Sequence, residues 1–121
     1  MAKAELNFGE LSGGADIDLG RPDDQNTSIS VAYNVWSSAI TAAKKPRYIA
    51  ITFNRANVGD GSVWIADTKN ETAKTIGYNG GFRFSDVAYS DVVQFVSDTS
   101  FKIRGQASGD TFTYQVVWWY E

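Results

Sequence analysis

The chain has no cysteine, no histidine, two prolines and one methionine among its 121 residues. Without cysteine there is no disulfide, no thiolate metal site and no thiol nucleophile. Without histidine the commonest general base and the commonest transition-metal ligand are also missing. Charge of either sign is sparse: 11 Lys and Arg against 14 Asp and Glu give a formal net charge of −3. That leaves no positive field to hold phosphates, so nucleic acid is not an expected partner. Long hydrophobic runs are missing too. The opening Met1-Ala-Lys-Ala-Glu-Leu-Asn-Phe8 lacks a signal peptide's apolar core, and no run approaches the ~20 apolar residues of a membrane span. Synthesis in the cytoplasm without a signal peptide, and no membrane insertion, are the expectations.

What is abundant points to strands. Seventeen residues are aromatic (4 Trp, 6 Tyr, 7 Phe), and β-branched residues and glycine are plentiful, a bias that favours sheet over helix. The length suits one domain that hides about two thirds of its unfolded surface.

The clearest segment is the last, Thr111 to Glu121. Phe112, Tyr114, Val116, Trp118 and Tyr120 fall on one face of a period of two, and Thr111, Thr113, Gln115, Val117 and Trp119 on the other. This is the pattern of a half-buried strand, in which Trp119 is the misfit. Thr27 to Trp36 alternates likewise, with Ile29, Val31, Tyr33 and Val35 on the expected inner side. Ser37 to Lys45 reads as a loop with room for a helical turn, closed by Pro46. Arg47 to Asn54 alternates again, Ile49, Ile51 and Phe53 against Tyr48, Ala50 and Thr52, and Arg55 to Gly61 carries turn chemistry. Further strands are expected at Ser62–Ala66, Lys74–Tyr78, Phe82–Phe84, Asp91–Ser97 and Ser100–Gln106. Asn79-Gly80-Gly81 fits a tight hairpin, and Ala107 to Asp110 turns the chain into the closing strand. In Ser62–Ala66 and Asp91–Ser97 apolar residues fall on both sides, so neither has an evident inner face. About eight or nine short strands without a long helix predict an all-β fold, an antiparallel β-sandwich of the jelly-roll type, over residues 25–121. Residues 1–24 read as an N-terminal arm with short strands. Within it Asp16 and Asp18 have the spacing of a calcium loop, but no twelve-residue loop with a terminal Glu follows.

No catalytic set assembles. Asp86 with Asp91 and Asp60 with Asp67 are candidate carboxylate pairs of the kind a glycosidase needs, but fourteen scattered acids produce such pairs by chance, and solubilising turns is their commoner role. The glycine-rich pieces precede strands, so they lack the helix N-terminus of a phosphate cradle. The expectation is a protein without catalytic residues, metal or cofactor. Binding is the better class. Trp119, Trp36, Trp64, Tyr48 and Tyr89 are the rings whose context does not plainly bury them, and they are the candidate partner-binding or ligand-binding residues. Trp119, beside Thr113 and Gln115, is expected to cross a subunit boundary rather than form a lone sugar platform.

Two stretches carry a family likeness. Ala43-Lys-Lys-Pro46-Arg-Tyr-Ile49-Ala-Ile51-Thr and Ser108-Gly-Asp-Thr111-Phe-Thr-Tyr114-Gln-Val-Val-Trp-Trp resemble a turn-to-strand element and the closing strand of small β-sandwich domains in bacteriophage virion proteins. Those domains occur at tail-fibre tips and in head-fibre or baseplate appendages. The resemblance implies a non-enzymatic structural or adhesion protein located in the virion. It would form a homo-oligomer, with a trimer favoured, touching other virion proteins and a host-surface glycan or protein. The alternative is a free carbohydrate-binding module whose rings stack on sugars.

Overall fold

The computed structural model describes residues 24–55, 60–77, 83–107 and 111–121. The readings placed on the first 23 residues, including the Asp16 and Asp18 spacing, and on the Asn79-Gly80-Gly81 hairpin lie outside the described residues. Among the described residues nine strands follow one another: β1 (Asp24–Val31), β2 (Ile40–Thr41), β3 (Tyr48–Arg55), β4 (Asp60–Asp67), β5 (Thr72–Gly77), β6 (Arg83–Val87), β7 (Val93–Ser97), β8 (Ser100–Ile103) and β9 (Phe112–Trp119). A 3-10 turn, Tyr89–Asp91, precedes β7. One sheet has six strands in the order β1-β9-β3-β4-β5-β6 and the other three in the order β2-β8-β7. Every ladder is antiparallel. The fold is all-β, as the strand-rich composition requires. The pairings β1 with β9 and β2 with β8 nest one inside the other, whereas β3 to β6 run as a meander within one sheet.

Between the sheets lies the main core. Ile49, Ile51, Phe53, Trp64, Tyr114, Val116 and Trp118 come down from the large sheet onto Ile40, Val93, Phe101 and Ile103 of the small one. Its rings meet edge to face, Phe53 with Phe112 at 4.8 Å and Phe101 with Trp118 at 5.5 Å, the geometry preferred by aromatic quadrupoles. Tyr114 is fully buried, and its hydroxyl accepts the backbone N–H groups of Gln106 and Ala107 at 3.1 and 3.0 Å. It ties the segment that follows β8 to β9. Tyr114→Phe is therefore expected to lower stability by about 2 kcal/mol in urea unfolding, since two amides lose their partner at once. A cost below a few tenths would mean the hydroxyl is dispensable.

The face of each residue in β3 and β9 is the one the alternation assigned. β4 explains why its sequence had no evident inner face: Trp64 and Ala66 enter the main core, while Val63 and Ile65 join a second apolar cluster on the opposite side of the sheet. A central strand dry on both faces reads as continuously apolar. On the main-core side of β5 the Thr75 hydroxyl is buried without a hydrogen-bond partner. Thr75→Val is expected to leave stability unchanged or raise it by about 1 kcal/mol, measurable as a shift in the denaturation midpoint.

Most strand boundaries shift by two or three residues, β1 beginning at Asp24 inside the segment read as an arm and β8 ending at Ile103 rather than Gln106, and two differences are larger. The strand expected to run to Trp36 stops at Val31, and β2 lies within the segment read as a loop, where two residues pair with Phe101 and Ser100 of β8. The cause is at Asn34, whose left-handed φ of 62° breaks the extended path.

Candidate functional site

The five rings singled out in the sequence do not form one site; only Tyr48 and Trp119 meet. Trp64 packs in the main core 6.3 Å from Tyr114. Tyr48 and Trp119 pair with each other across β3 and β9 in the second cluster. Trp36 forms an isolated bridge to Arg104 beside β8, and Tyr89 packs half-buried against the main core. Three of the five, Trp64, Tyr48 and Trp119, are buried within their own chain and offer no ring face to a ligand. Trp119 is the principal correction: it points to the side expected, away from Trp118, but it is only 4% exposed within a single chain. The face that carries it is itself a core. Burial also pushes the Tyr89 phenol up to about 12, with the charges of Glu71 and Asp67 adding to the effect. The Tyr48 hydroxyl is raised for the same first reason, against the opposing pull of Arg47.

Two places on the described surface are built with care. The first is at the Tyr48 end of the large sheet. Asp67, the last residue of β4, is fully buried and receives the Arg47 Nε at 3.1 Å and Nη2 at 3.3 Å. It also accepts the backbone N–H of Lys69 and of Asn70, and the Asn70 side-chain amide at 2.9 Å. The run Asp67-Thr-Lys-Asn70 is thus an Asp-anchored turn, with the Thr68 hydroxyl closing on the Pro46 carbonyl at 2.6 Å. Burial alone would push the Asp67 carboxyl up, but the hydrogen bonds from Arg47 and Asn70 win and hold it below the usual carboxylate range. The Arg47 guanidinium is raised in return by the same bond. Its Cζ lies 4.5 Å from the centre of the Tyr48 ring, a cation-over-aromatic contact. An open depression of about 260 Å³ lies beside Arg47, lined by Lys45, Pro46, Arg47, Thr68, Lys69 and Glu121. Glu121 reaches Arg47 at 3.4 Å and Lys69 at 3.7 Å. The charges are matched among themselves, and a carboxylate committed to this many donors stays ionised, which is the wrong state for a general acid.

The other carboxylates named as candidates are likewise held apart by cations. Asp86 takes Lys74 at 2.7 Å and Asp91 takes Arg104 at 2.7 Å. The side chain of Asp60 lies outside the described residues. Among the described residues no group of three or more acids is placed to hold a metal ion, and no helix is long and apolar enough to cross a membrane.

The second place is the bend 32–37. Asn34 donates its backbone N–H to the Gly105 carbonyl at 2.9 Å, Gly105 donates to Val35 at 3.0 Å, and Ser37 donates to Ile103 at 2.7 Å. The Ser37 hydroxyl accepts the Ile103 N–H in turn at 3.1 Å. Arg104 then braces the bend from the side, giving Nη2 to the Asn34 amide oxygen at 2.8 Å and Nη1 to Asp91. Gly105 is required by this approach, because a Cβ there would sit 2.0 Å from the Ala32 carbonyl oxygen. The result is a rigid bend that holds Tyr33 and Val35 out at 46% and 50% exposure, beside half-buried Trp36. Sequence reasoning placed Tyr33 and Val35 inside, because the alternation of β1 continues past the point where the strand ends. Asn34 was the available signal, as asparagine tolerates the left-handed region better than most residues.

No family model, curated protein or solved structure matches the chain.

Proposed function

We propose that the protein is a non-enzymatic structural or adhesion component of a bacteriophage particle, acting through oligomeric assembly and surface recognition. The observation that carries the recognition part is the 32–37 bend: apolar side chains held out by a braced backbone lose little conformational freedom on contact, which favours association. The bend packs against β8, so its position does not depend on a flexible connection. The assignment to a virion rests on the resemblance of the Ala43–Thr52 and Ser108–Trp119 stretches. The commitment of Asp67, Asp86 and Asp91 to structural cations supports a protein without acid-base chemistry. Burial of Trp64, Tyr48 and Trp119 counts against the lectin alternative, because a sugar platform needs an open ring face.

The experiment is electron microscopy of purified particles with gold-labelled antibody raised against this chain. Labelling of a head or tail appendage is expected. Particles that carry no label, and no peptide of this chain on mass spectrometry, would contradict the proposal.

A further inference from the structure

The depression beside Arg47 is built around a cation fixed in place, and it depends neither on the 32–37 bend nor on the virion reading. Arg47 immediately precedes β3, and its backbone is clamped on both sides. Its N–H goes to the Trp119 carbonyl at 2.7 Å, and its own carbonyl accepts the Thr68 N–H and the Thr68 hydroxyl, both at 3.0 Å. The side chain is equally constrained, with Nε and Nη2 committed to the buried Asp67 and Cζ over the Tyr48 ring. A guanidinium held in this way keeps its planar fork in one orientation. The remaining nitrogen, Nη1, is met by the Glu121 carboxylate at 3.4 Å, and Glu121 is a lining residue of the depression.

That occupant is held loosely. Lys69 Nζ lies 3.7 Å from the same Glu121 oxygen, so both contacts are long for charge-assisted hydrogen bonds, and the Glu121 side chain is 68% exposed. Exposed pairs of this kind are weak and easily replaced. Cations are also in excess. Pairing Arg47 with Asp67 and Lys69 with Glu121 leaves Lys45 over, and it belongs to none of the ion pairs among the described residues. Its ammonium lies 5.1 Å from the centre of the Phe95 ring. Lys45, Arg47 and Lys69 thus line one recess with a single displaceable carboxylate. At about 260 Å³ the recess is smaller than the ~300–1,000 Å³ of sites for drug-sized ligands, which suits one short side chain. None of its lining residues is aromatic, so it lacks the ring on which a sugar stacks.

We propose that this depression binds a carboxylate side chain, Asp or Glu, from an acidic segment of a partner protein, and that Glu121 occupies the site in the free chain. The incoming carboxylate takes the place of Glu121 on Arg47 Nη1 and Lys69 and gains Lys45 in addition. Little ordering of the protein is required, because the guanidinium is already fixed on Asp67.

The test uses the full chain with capped tri-glutamate, capped tri-glutamine and glucuronate, at low and fixed ionic strength so that screening is constant. Binding is read at the Arg47 side-chain Nε–H resonance, which Asp67 holds in a hydrogen bond. With tri-glutamate the wild type should show a saturable shift, and tri-glutamine should produce none. Glu121→Gln should bind tri-glutamate about two- to five-fold more tightly, the range that loss of an exposed competing pair allows. Lys45→Gln with Lys69→Gln should lose most of the affinity. All three positions are exposed, so these variants keep the fold. Asp86→Asn makes the same change of net charge as Glu121→Gln but on β6, three strands from β3, and should match the wild type. A gain in Glu121→Gln no greater than in Asp86→Asn would reduce the effect to net charge and overturn the proposal. So would a wild type and a Glu121→Gln variant that both ignore tri-glutamate, or a lysine double variant that retains its affinity. Tri-glutamine binding as well as tri-glutamate would reject the carboxylate, and glucuronate binding more tightly than tri-glutamate would reject the protein partner in favour of an acidic sugar.

Discussion

Replacement of Asp67 by alanine is expected to lower stability by about 3 kcal/mol. Removing one partner of a buried ion pair leaves the other charge uncompensated, an effect of about 3–5 kcal/mol when the survivor is fully enclosed. Arg47 is 17% exposed and retains Glu121, which places the effect at the lower end of that range. The loss is larger than a surface ion pair explains, because the Lys69 and Asn70 amides and the Asn70 side chain lose their acceptor as well. The acid limb provides a second readout. The Asp67 carboxyl is held below its ordinary value in the folded protein, so below about pH 4 the unfolded chain takes up a proton that the folded one refuses. Stability from this group is fully present above the unfolded value and is lost as pH falls through the folded one. Wild type should therefore lose stability on acidification faster than Asp67→Ala, with the gap between them narrowing towards pH 2. Parallel pH curves in urea titrations would mean that Asp67 is not ionised in a pair.

Gly105→Ala is expected to be comparably severe, on the order of 3 kcal/mol, because the clash is with backbone rather than with a side chain that can rotate away. The added methyl would lie 2.0 Å from the Ala32 carbonyl oxygen and 2.8 Å from its carbon. Relief requires the 32–37 bend to move off β8, which breaks the reciprocal Asn34 and Val35 bonds with Gly105. Tyr33 and Val35 would lose their fixed positions at the same time, so this variant should impair assembly as well as stability. Urea unfolding checks the first effect, and a change under about 0.5 kcal/mol, the range of neutral surface substitutions, would show that the approach is not as close as described.

The all-β class, the succession of strands apart from β2 and the faces of β3 and β9 were legible because side-chain alternation is a local property of the chain. What covers each face is not local. Trp119 stood out as the wrong residue for a polar face, and the alternation assigned its side correctly, but period two says nothing of whether that side is wet. β4 had no evident inner face for the complementary reason: Val63 and Ile65 oppose Trp64 and Ala66 because both sides are dry. Tyr33 and Val35 were misplaced since their pattern is indistinguishable from that of Ile29 and Val31. The left-handed Asn34 and the close approach of the distant Gly105, seventy residues further on, together take the chain off the strand path. The Arg47 and Asp67 pair spans twenty residues. The turn at Asp67-Thr-Lys-Asn70 was visible in principle, as aspartate and asparagine three apart commonly cap such a turn, but its basic partner was not.

The central claim, that the 32–37 bend is an assembly surface of a non-enzymatic virion protein, is tested most directly by light scattering of the purified chain at micromolar concentration, beside Tyr33→Ser with Val35→Ser. Wild type is expected to give a discrete oligomer, the double variant a folded species of the single-chain mass, 13.3 kDa. A wild-type protein that stays at the single-chain mass throughout, or an oligomer that the two substitutions leave intact, would contradict the account.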